Sequence, residues 1–546
     1  MKRHALVVFL AAAVLGLAID RQVPWTDDAR FYVPAAASYG EWLARAVSGP
    51  VRGDFSAWSR HQIDTAFRAN HEHPPAGKYV MAVGWLVFYR GLGWLDEIAA
   101  CRVGVTLLWA WLCALTFALV RDARGPAAGL FAALATATMP RLMFHGQVET
   151  LDLPVTAFTV ASATMLWRTL EAPRLRTGVA AVLFFAFALG TQLNAPFILV
   201  AAAAYLLITR PPQRAGTLLR LPDLPLVLAG MLLLSPLLVW LMWPWLWFDT
   251  WPRLVAYAQY HLHHYGIYFL YRGELYSDTP APWHAPWVML AFTVPLPVLA
   301  LALCGAWPPI KTMLARLPGV GRPDLTPLVE LERSPAQRLA LFVILQALVQ
   351  LVAVSLPGVP VYGGDKLFLP AFPFAAVLSG LAFAALAEQA RAYRRSRLVL
   401  GVTMAALLLP GALGVLLYRG SWLSYYNELA GGVRGATRAG YERQYYDLAY
   451  PELATALNQL LPNGGRVAVL PNPKEYAPYF ARWRGLERLH QGVELAPLGE
   501  AHLLVLTHER RWREYPELHA RFRTRPLAAR FDVAGVPLFS IYDLRP

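Results

Sequence analysis

Long uncharged stretches alternate with short polar connectors along most of this 546-residue chain. A run of roughly 20 mainly apolar residues is long enough to form a membrane-spanning helix. The first uncharged run covers residues 5–19 and is followed by a polar stretch at 20–97. Further apolar segments lie at 98–120, 126–144, 153–169, 178–194, 195–209, 224–243, 286–306, 338–356, 367–387 and 398–418. This pattern predicts a mainly α-helical, polytopic membrane bundle of about 11 spans.

Three assignments in this pattern depend on local residues. Residues 5–19 are few enough for a cleaved signal peptide, but no small-residue cleavage site precedes Asp20, which favours a retained helix. Polar and helix-breaking residues at 190–196 divide the segment 178–209 and predict a turn between two spans. Residues 79–89 are too few to cross a bilayer, so we expect an interfacial or re-entrant segment there.

The charged residues bear on the class of protein and on its orientation in the membrane. Only 15% of the residues are charged, against roughly 25% in soluble proteins, and 57% are hydrophobic. The net charge of +14 does not indicate nucleic-acid binding, because the arginines lie mostly in connectors between apolar segments. With eleven spans the arginine-rich connectors fall on the side of Lys2 and Arg3, which the positive-inside rule assigns to the cytoplasm. The chain is therefore expected in the inner cell membrane.

Two domains follow from this topology. Residues 1–420 form the transmembrane domain, including a first extracytoplasmic loop at 20–97, in which 41–47 is amphipathic. Residues 421–546 form a small extracytoplasmic α/β domain, with a helix at 452–461 and strands at 466–470, 502–507 and 528–542, the last of them broken at 534–535. The three cysteines all lie in apolar segments and indicate neither a disulfide framework nor a zinc site.

Ionisable residues from several connectors are expected to meet at the outer membrane surface. A carboxylate facing cations there suits chemistry on an anionic lipid phosphate: basic groups hold the phosphate, and an aspartate deprotonates an acceptor hydroxyl. Alternatively, each is a solvated loop residue, and Asp27 and Asp28 cap a helix. The candidates are Asp27, Asp28, Arg30, His71, Glu72, His73, Lys78, Arg141, His145, Glu149, Asp152, Asn194, Tyr276, Asp278, Asp365 and Lys366.

The motif WTDDARFY at 25–32 resembles the first-loop acidic motif of integral-membrane C-fold (GT-C) glycosyltransferases. The similarity is to the group of protein O-mannosyltransferases and lipid A aminoarabinose transferases, which use polyprenyl- or dolichyl-phosphate sugars. The motif EHPPAGK at 72–78 is also similar to that group. Further similar motifs, in the same order, lie at 150–154, 190–195, 276–280, 366–373 and 424–429.

The resemblance implies roles for particular residues. Asp27 would be the catalytic base, and Asp28 would support it where the family usually has Glu. Lys78, Arg141 and Lys366 would contact the donor phosphate, although Arg is common at the position of Lys366. Asp152 would support the donor-side network, whereas Gln192 stands where many relatives carry Lys and receives no charge role. Further supporting residues would be Arg30, Glu72, His73, Glu149, Asn194, Tyr276 and Asp278.

The implied activity is inverting transfer of a sugar from a polyprenyl-phosphate donor to an extracytoplasmic protein, lipid A or envelope glycan. No cofactor is required, and a divalent metal stays unassigned despite the histidines at 71, 73, 261, 263 and 264. One alternative is a transporter or flippase of a lipid-linked sugar, which would place charged residues near the middle of the membrane. Another is a binding protein that acts through residues 421–546.

Overall fold

The computed structural model describes residues 3–19, 23–210, 213–215, 218–220, 223–263, 266–277, 280–314, 334–359, 361, 363–508, 520–522 and 524–545. Helices dominate up to residue 438. They are α1 Arg3–Ile19, α2 Ala29–Val51, α3 Arg60–Ala66, α4 Ala76–Gly84, α5 Glu97–Arg124, α6 Pro126–Ala137, α7 Pro140–His145, α8 Asp152–Glu171, α9 Leu175–Leu189, α10 Phe197–Thr209, α11 Leu226–Met242, α12 Thr250–Leu262, α13 Ala285–Thr293, α14 Leu296–Leu314, α15 Pro335–Val354, α16 Ala371–Ala390, α17 Ser396–Leu417 and α18 Gly432–Arg438. Two short hairpins interrupt them, Gln213–Ala215 with Leu218–Arg220 (β1, β2) and Phe269–Tyr271 with Glu274–Tyr276 (β3, β4).

Each of the eleven predicted apolar segments overlaps a helix, and 126–144 and 286–306 are each divided between two helices. Among the residues that the structure describes, five helices, α5 and α14–α17, are long and apolar enough to cross a membrane, and five shorter apolar helices, α1, α6 and α9–α11, accompany them. The division at Gly190 is confirmed as a break between helices, because α9 ends at Leu189 and α10 begins at Phe197. The chain is a multi-pass membrane protein; the number of spans and their orientation stay predictions.

The first loop is folded and packs closely on the bundle. Residues 41–47, predicted to be amphipathic, lie within α2, and α4 continues into a π-helix at Trp85–Gly91. Glycines bring α4 and α5 into backbone contact: a Cβ at Gly84 would lie 2.3 Å from the carbonyl oxygen of Ala100, and one at Gly104 would lie 2.2 Å from that of Val80. Small residues allow such close helix packing in membrane proteins. This contact fixes α4, which carries Lys78.

The C-terminal part is a small α/β domain, as predicted. Its helices are α19 Pro451–Leu460 and α20 Pro473–Gly485, and its strands are β5 Gly465–Leu470, β6 Val493–Leu495, β7 Leu503–Thr507, β8 Leu527–Val533 and β9 Val536–Asp543. The five strands form one sheet in the order β6-β5-β7-β9-β8. Strand β5 pairs in parallel with β6 and β7, whereas β9 pairs antiparallel with β7 and β8. A two-residue turn with positive φ at Ala534 and Gly535 joins β8 to β9, at the break that the sequence predicts.

Candidate active site

The acidic pair of the first loop lies directly before α2. Asp27 and Asp28 are half-buried, and Asp28 is the N-cap residue of α2, but its carboxylate makes no capping hydrogen bond. The helix-capping interpretation of Asp28 therefore has no support in the geometry. Burial, followed by the charges of Asp152, Asp28, Tyr445 and Asp27, raises the pKa of Tyr446 well above its ordinary value.

A buried ion pair holds the backbone before the acidic pair. The Nε of Arg102 lies 2.5 Å from a carboxylate oxygen of Glu149, and both side chains are buried. The guanidinium also donates to the carbonyls of Val23 (3.2 Å) and Pro24 (2.7 Å). The other oxygen of Glu149 accepts from the Thr26 hydroxyl (3.3 Å) and the Thr26 backbone N–H (3.4 Å). Residues 23–26 are thus fixed to α5 and to the connector before α8.

Behind the acidic pair lies a second buried group of charged side chains. His145, at the end of α7, lies between two carboxylates: its Nδ1 is 3.4 Å from Asp152 and its Nε2 is 3.9 Å from Asp365. Arg141, one turn earlier, places Nη1 3.4 Å from Asp365. Burial opposes charging of His145, but the facing carboxylates of Asp152 and Asp365 raise its pKa, which favours the imidazolium. Two basic side chains, Arg141 and His145, therefore face two carboxylates.

Two adjacent tyrosines from beyond the helical bundle complete this group. The Tyr445 hydroxyl lies 2.6 Å from Nε2 of His145 and donates to Asp365 at 2.8 Å. The Tyr446 hydroxyl donates to Asp152 at 3.0 Å. The Lys366 ammonium lies 5.1 Å from the centroid of the Tyr446 ring, within the range of a cation–π contact. Asp152 and Lys366 thus share one neighbour, Tyr446.

Lys78 lies in a separate buried pocket at the start of α4. Its Nζ contacts four oxygens: the Asn70 carbonyl (2.5 Å), the His73 carbonyl (2.7 Å), the Asn70 side chain (3.0 Å) and the Tyr39 hydroxyl (3.2 Å). An ammonium has three N–H donors, so protein oxygens already use its donor capacity. In this geometry Lys78 fastens residues 70–73 to α2 and α4. Its predicted contact with the donor phosphate stays a prediction.

Glu72 and His73 surround the same pocket. Glu72 accepts a hydrogen bond from the Asn70 side chain at 3.0 Å. The His73 ring lies 6.1 Å from that of Tyr32 and 5.6 Å from that of His261. These residues line the pocket of Lys78.

The other predicted supporting residues are spread more widely. Arg30 forms an ion pair with Glu475 of α20, so it faces the C-terminal domain. Asn194 lies in the turn between α9 and α10, and its Oδ1 has no hydrogen-bond partner among the described residues. Tyr276 donates to Glu274 of its own hairpin at 2.6 Å. Asp278 lies outside the described residues. Gln192, without an assigned role, donates to Asp152 at 3.4 Å.

Sequence reasoning missed Arg102, Tyr445 and Tyr446. Arg102 lies within a predicted span, where an ionisable side chain is itself a signal of function or pairing. The tyrosines lie in the stretch 441–450, YERQYYDLAY, whose ten residues are all buried. A run so rich in aromatic and charged residues was a usable signal, but residues 421–546 were expected to form a separate domain without a site. The domain boundary at 420 stays a prediction, although residues from both predicted domains contribute to the site.

Metal-ligand side chains and cavities bear on what could bind near the cluster. Within the described part of the chain, no group of three or more His, Cys, Asp or Glu side chains is placed to hold a metal ion. His264 lies outside that part. A cavity of about 820 Å³ borders the first loop through Trp25 and Phe88, and Leu17 of α1 and Arg102 of α5 also line it. A cavity of about 960 Å³, lined by residues of α8, α9 and α11, lies elsewhere.

Comparison with known proteins supports the resemblance. Residues 72–240 match the sequence profile of the dolichyl-phosphate-mannose-protein mannosyltransferase family. Among curated proteins, none is significantly similar in sequence to the chain.

Solved structures overlap with the chain at low identity. A crystal structure of ArnT from Cupriavidus metallidurans in the apo state is 15% identical, with a TM-score of 0.48 over 98% of this chain and 97% of that one. ArnT bound to undecaprenyl phosphate is 16% identical, with a TM-score of 0.47 over 99% and 98%. The oligosaccharyltransferase of Archaeoglobus fulgidus is 12% identical, with a TM-score of 0.43 over 88% of this chain and 60% of that one. These overlaps are too weak to add to the functional argument.

The family match covers Lys78, Arg141, Glu149 and Asp152, and so includes the connectors that surround the cluster. Over residues 72–240 the chain carries the sequence pattern of a mannosyltransferase family, which confirms its resemblance to the membrane C-fold glycosyltransferases.

Proposed function

We propose that the protein transfers a sugar from a polyprenyl-phosphate donor to an extracytoplasmic acceptor with inversion at the anomeric carbon. The observation that carries the proposal is that the segment just before Asp27 and Asp28 is bonded to Ala449 and Glu149, each three positions from Tyr446 and Asp152, which form one group with Lys366. The chain also matches a sugar-transferring family over residues 72–240. Carboxylates and a cation at one place fit a reaction that removes a proton from one reactant and releases an anion from the other.

Asp27 is the proposed general base. Its carboxylate takes the proton of an acceptor hydroxyl while that oxygen forms a bond to the anomeric carbon. The bond between this carbon and the phosphate oxygen breaks, and the polyprenyl phosphate leaves with the electron pair. Attack opposite the leaving group inverts the configuration. The clamp of Arg102 and Glu149 on residues 23–26 supports this role, since a base must be held within hydrogen-bond reach of its proton.

Lys366 is the best-placed cation for the leaving phosphate. It is half-buried, and its ammonium lies over Tyr446 beside the acidic residues. Arg141 is fully buried, and only its Nη2 lacks a hydrogen-bond partner among the described residues. Lys78 already uses its three donors on protein oxygens. We therefore rank Lys366 before Arg141 and Lys78 as a phosphate ligand.

The charge distribution supports transfer over transport. The ionisable residues of the cluster lie at helix ends and connectors: Asp28 before α2, His145 at the end of α7, Asp152 at the start of α8 and Lys366 before α16. A transporter of a lipid-linked sugar would instead hold its substrate near the middle of broken helices.

The test replaces Asp27 by Asn and compares envelope lipids, glycans and proteins by mass spectrometry in cells with wild-type, variant or no gene. We expect a defined sugar modification to vanish without the gene and with Asp27→Asn, because an amide accepts no proton; general bases contribute about 10²- to 10⁴-fold. Glu41→Gln, an exposed first-loop carboxylate paired with Arg90, is the matched control and keeps the modification. Near-wild-type transfer by Asp27→Asn removes Asp27 from the base role. A sugar content independent of the gene overturns the function.

A further inference from the structure

The stretch 441–450, whose residues are all buried, connects the helical bundle to the C-terminal domain. It is held on three sides. Ala449 pairs with Trp25 of the first loop through two backbone hydrogen bonds of 3.1 and 2.9 Å. The Tyr426 hydroxyl donates to the carbonyl of Glu442 at 2.7 Å. Arg443 donates to the carbonyl of Pro537 in β9 at 2.6 Å. The stretch is therefore a fixed part of the core, not a loose linker.

Within this stretch, Tyr446 contacts both Asp152 and Lys366. Its hydroxyl donates to Asp152 at 3.0 Å, and its ring lies 5.1 Å from the Lys366 ammonium. Burial keeps the hydroxyl protonated, since it raises the pKa of Tyr446 well above the ordinary value. The phenol is thus a permanent donor to a carboxylate and presents its ring face to a cation.

We propose that Tyr446 is a positioning residue of the active site, which fixes Asp152 through its hydroxyl and Lys366 through its ring beside Asp27 and Asp28. The inference rests on the proposed function. Tyr445, one residue earlier, has a similar positioning role: its hydroxyl contacts both His145 and Asp365, and Asp365 is the ion-pair partner of Arg141. The stretch 441–450 thereby positions the carboxylates of Asp152 and Asp365, and the active site is incomplete without it.

The Tyr446 hydroxyl is one of the groups that determine the pKa of Asp152. Burial would raise the pKa of Asp152, but the facing groups, His145 of α7, Lys366 before α16 and the Tyr446 hydroxyl, lower it to about 2. The charge of Asp28 acts in the same region through its proximity to Tyr446. Removing the Tyr446 hydroxyl takes away one stabiliser of the Asp152 carboxylate, so its pKa rises. A carboxyl whose pKa lies near 2 stays ionised at neutral pH with or without this donor, so the loss is expected to act on the position of Asp152.

The test is Tyr446→Phe in the full-length protein, which removes only the hydroxyl. Its matched control is Tyr450→Phe: Tyr450 is equally buried in the same stretch, but its hydroxyl donates to Gln444 at 2.7 Å and its ring packs on Phe531. The assay measures, in isolated membranes, the gene-dependent sugar incorporation found by mass spectrometry. We expect Tyr446→Phe to lower the rate roughly tenfold to a hundredfold, as for a lost hydrogen bond to a charged group, and to lower it much less when Asp152 is also replaced by Asn, because the charged acceptor is then absent.

The Asp152→Asn background separates positioning from folding. A variant that only folds poorly lowers the amount of active enzyme equally in both backgrounds, and size-exclusion chromatography in detergent measures the folded fraction. If Tyr446→Phe matches Tyr450→Phe in rate per folded protein, or lowers that rate equally in both backgrounds, the inference is overturned while the proposed function stands. If the wild-type protein shows no gene-dependent transfer, the proposed function itself fails.

Discussion

The ion pair of Arg102 and Glu149 offers the sharpest test of how the first loop is held. Both partners are almost completely buried, with side-chain exposures of 3% and 0%. Glu149→Gln removes the charge of one partner and keeps its shape, so the amide oxygen can still accept from Thr26. Arg102→Met removes the guanidinium and leaves the carboxylate of Glu149 buried.

The structure predicts different magnitudes for the two changes. Removing one member of a buried ion pair costs about 3–5 kcal/mol, and this is the expected destabilisation for Glu149→Gln. Arg102→Met costs the same and also leaves the carbonyls of Val23 and Pro24 without their donors. An unsatisfied buried polar group costs about 1–3 kcal/mol, so we expect Arg102→Met to be the more destabilising variant by at least that amount. Transfer should fall with it, because residues 23–26 precede the proposed base.

The assay is chemical or thermal unfolding of the purified protein in detergent, followed by tryptophan fluorescence. The matched control is Arg338→Met, which breaks a two-point ion pair with Glu171 whose side chains are 22% and 26% exposed. Partly exposed pairs contribute about 0–1 kcal/mol, so this variant should unfold close to the wild type. The reasoning is refuted if Arg102→Met is no less stable than Arg338→Met, or if Glu149→Gln is the more destabilised of the buried pair.

Two further predictions concern α4 and α5. Burial lowers the pKa of Lys78 to about 7, although the charge of Glu72 acts in the opposite direction. If transfer needs the ammonium, its rate should fall as the pH rises above that value, and Lys78→Met should not show this fall. Between about pH 7 and the ordinary pKa of 10.5 the unfolded state binds more protons at this lysine, so the free energy of unfolding rises with pH. Unfolding caused by this group therefore does not explain the fall in rate. A transfer rate that stays flat to pH 9 would contradict the argument. Asp96 accepts hydrogen bonds from the N–H groups of Ile98 and Ala99 at the start of α5, so Asp96→Ala should cost about 0.5–2 kcal/mol in thermal unfolding. Asp96→Asn, which can still cap, should cost less, and equal losses would count against the capping argument.

Hydrophobic patterning was sufficient to predict most of the helical part. The apolar segments give the helices because a lipid environment requires every backbone polar group to be satisfied within the segment. Polar and helix-breaking residues at 190–196 correctly placed a break between α9 and α10. In the C-terminal domain, β5, β7, β8 and β9 and helix α19 were predicted, whereas β6 and α20 were not. Strand β6 has only three residues, too few for an alternating pattern to stand out.

The active site was predictable residue by residue only where a motif carried it. Asp27, Asp152 and Lys366 were selected as candidates, but their partners depend on contacts between positions far apart in the chain. Tyr446 meets Asp152 across 294 positions, and no local pattern reports such a contact. At Lys78 a motif was not sufficient. It suggested a phosphate ligand, whereas the fold surrounds the ammonium with protein oxygens.

The pairing of Trp25 with Ala449 has a consequence for biosynthesis. The acidic pair lies near the N-terminus, but Ala449, the backbone partner of the neighbouring Trp25, is more than 400 positions downstream. A ribosome must therefore complete four-fifths of the polypeptide before the reaction centre can close. Truncated translation products that already contain every predicted catalytic aspartate should be inert.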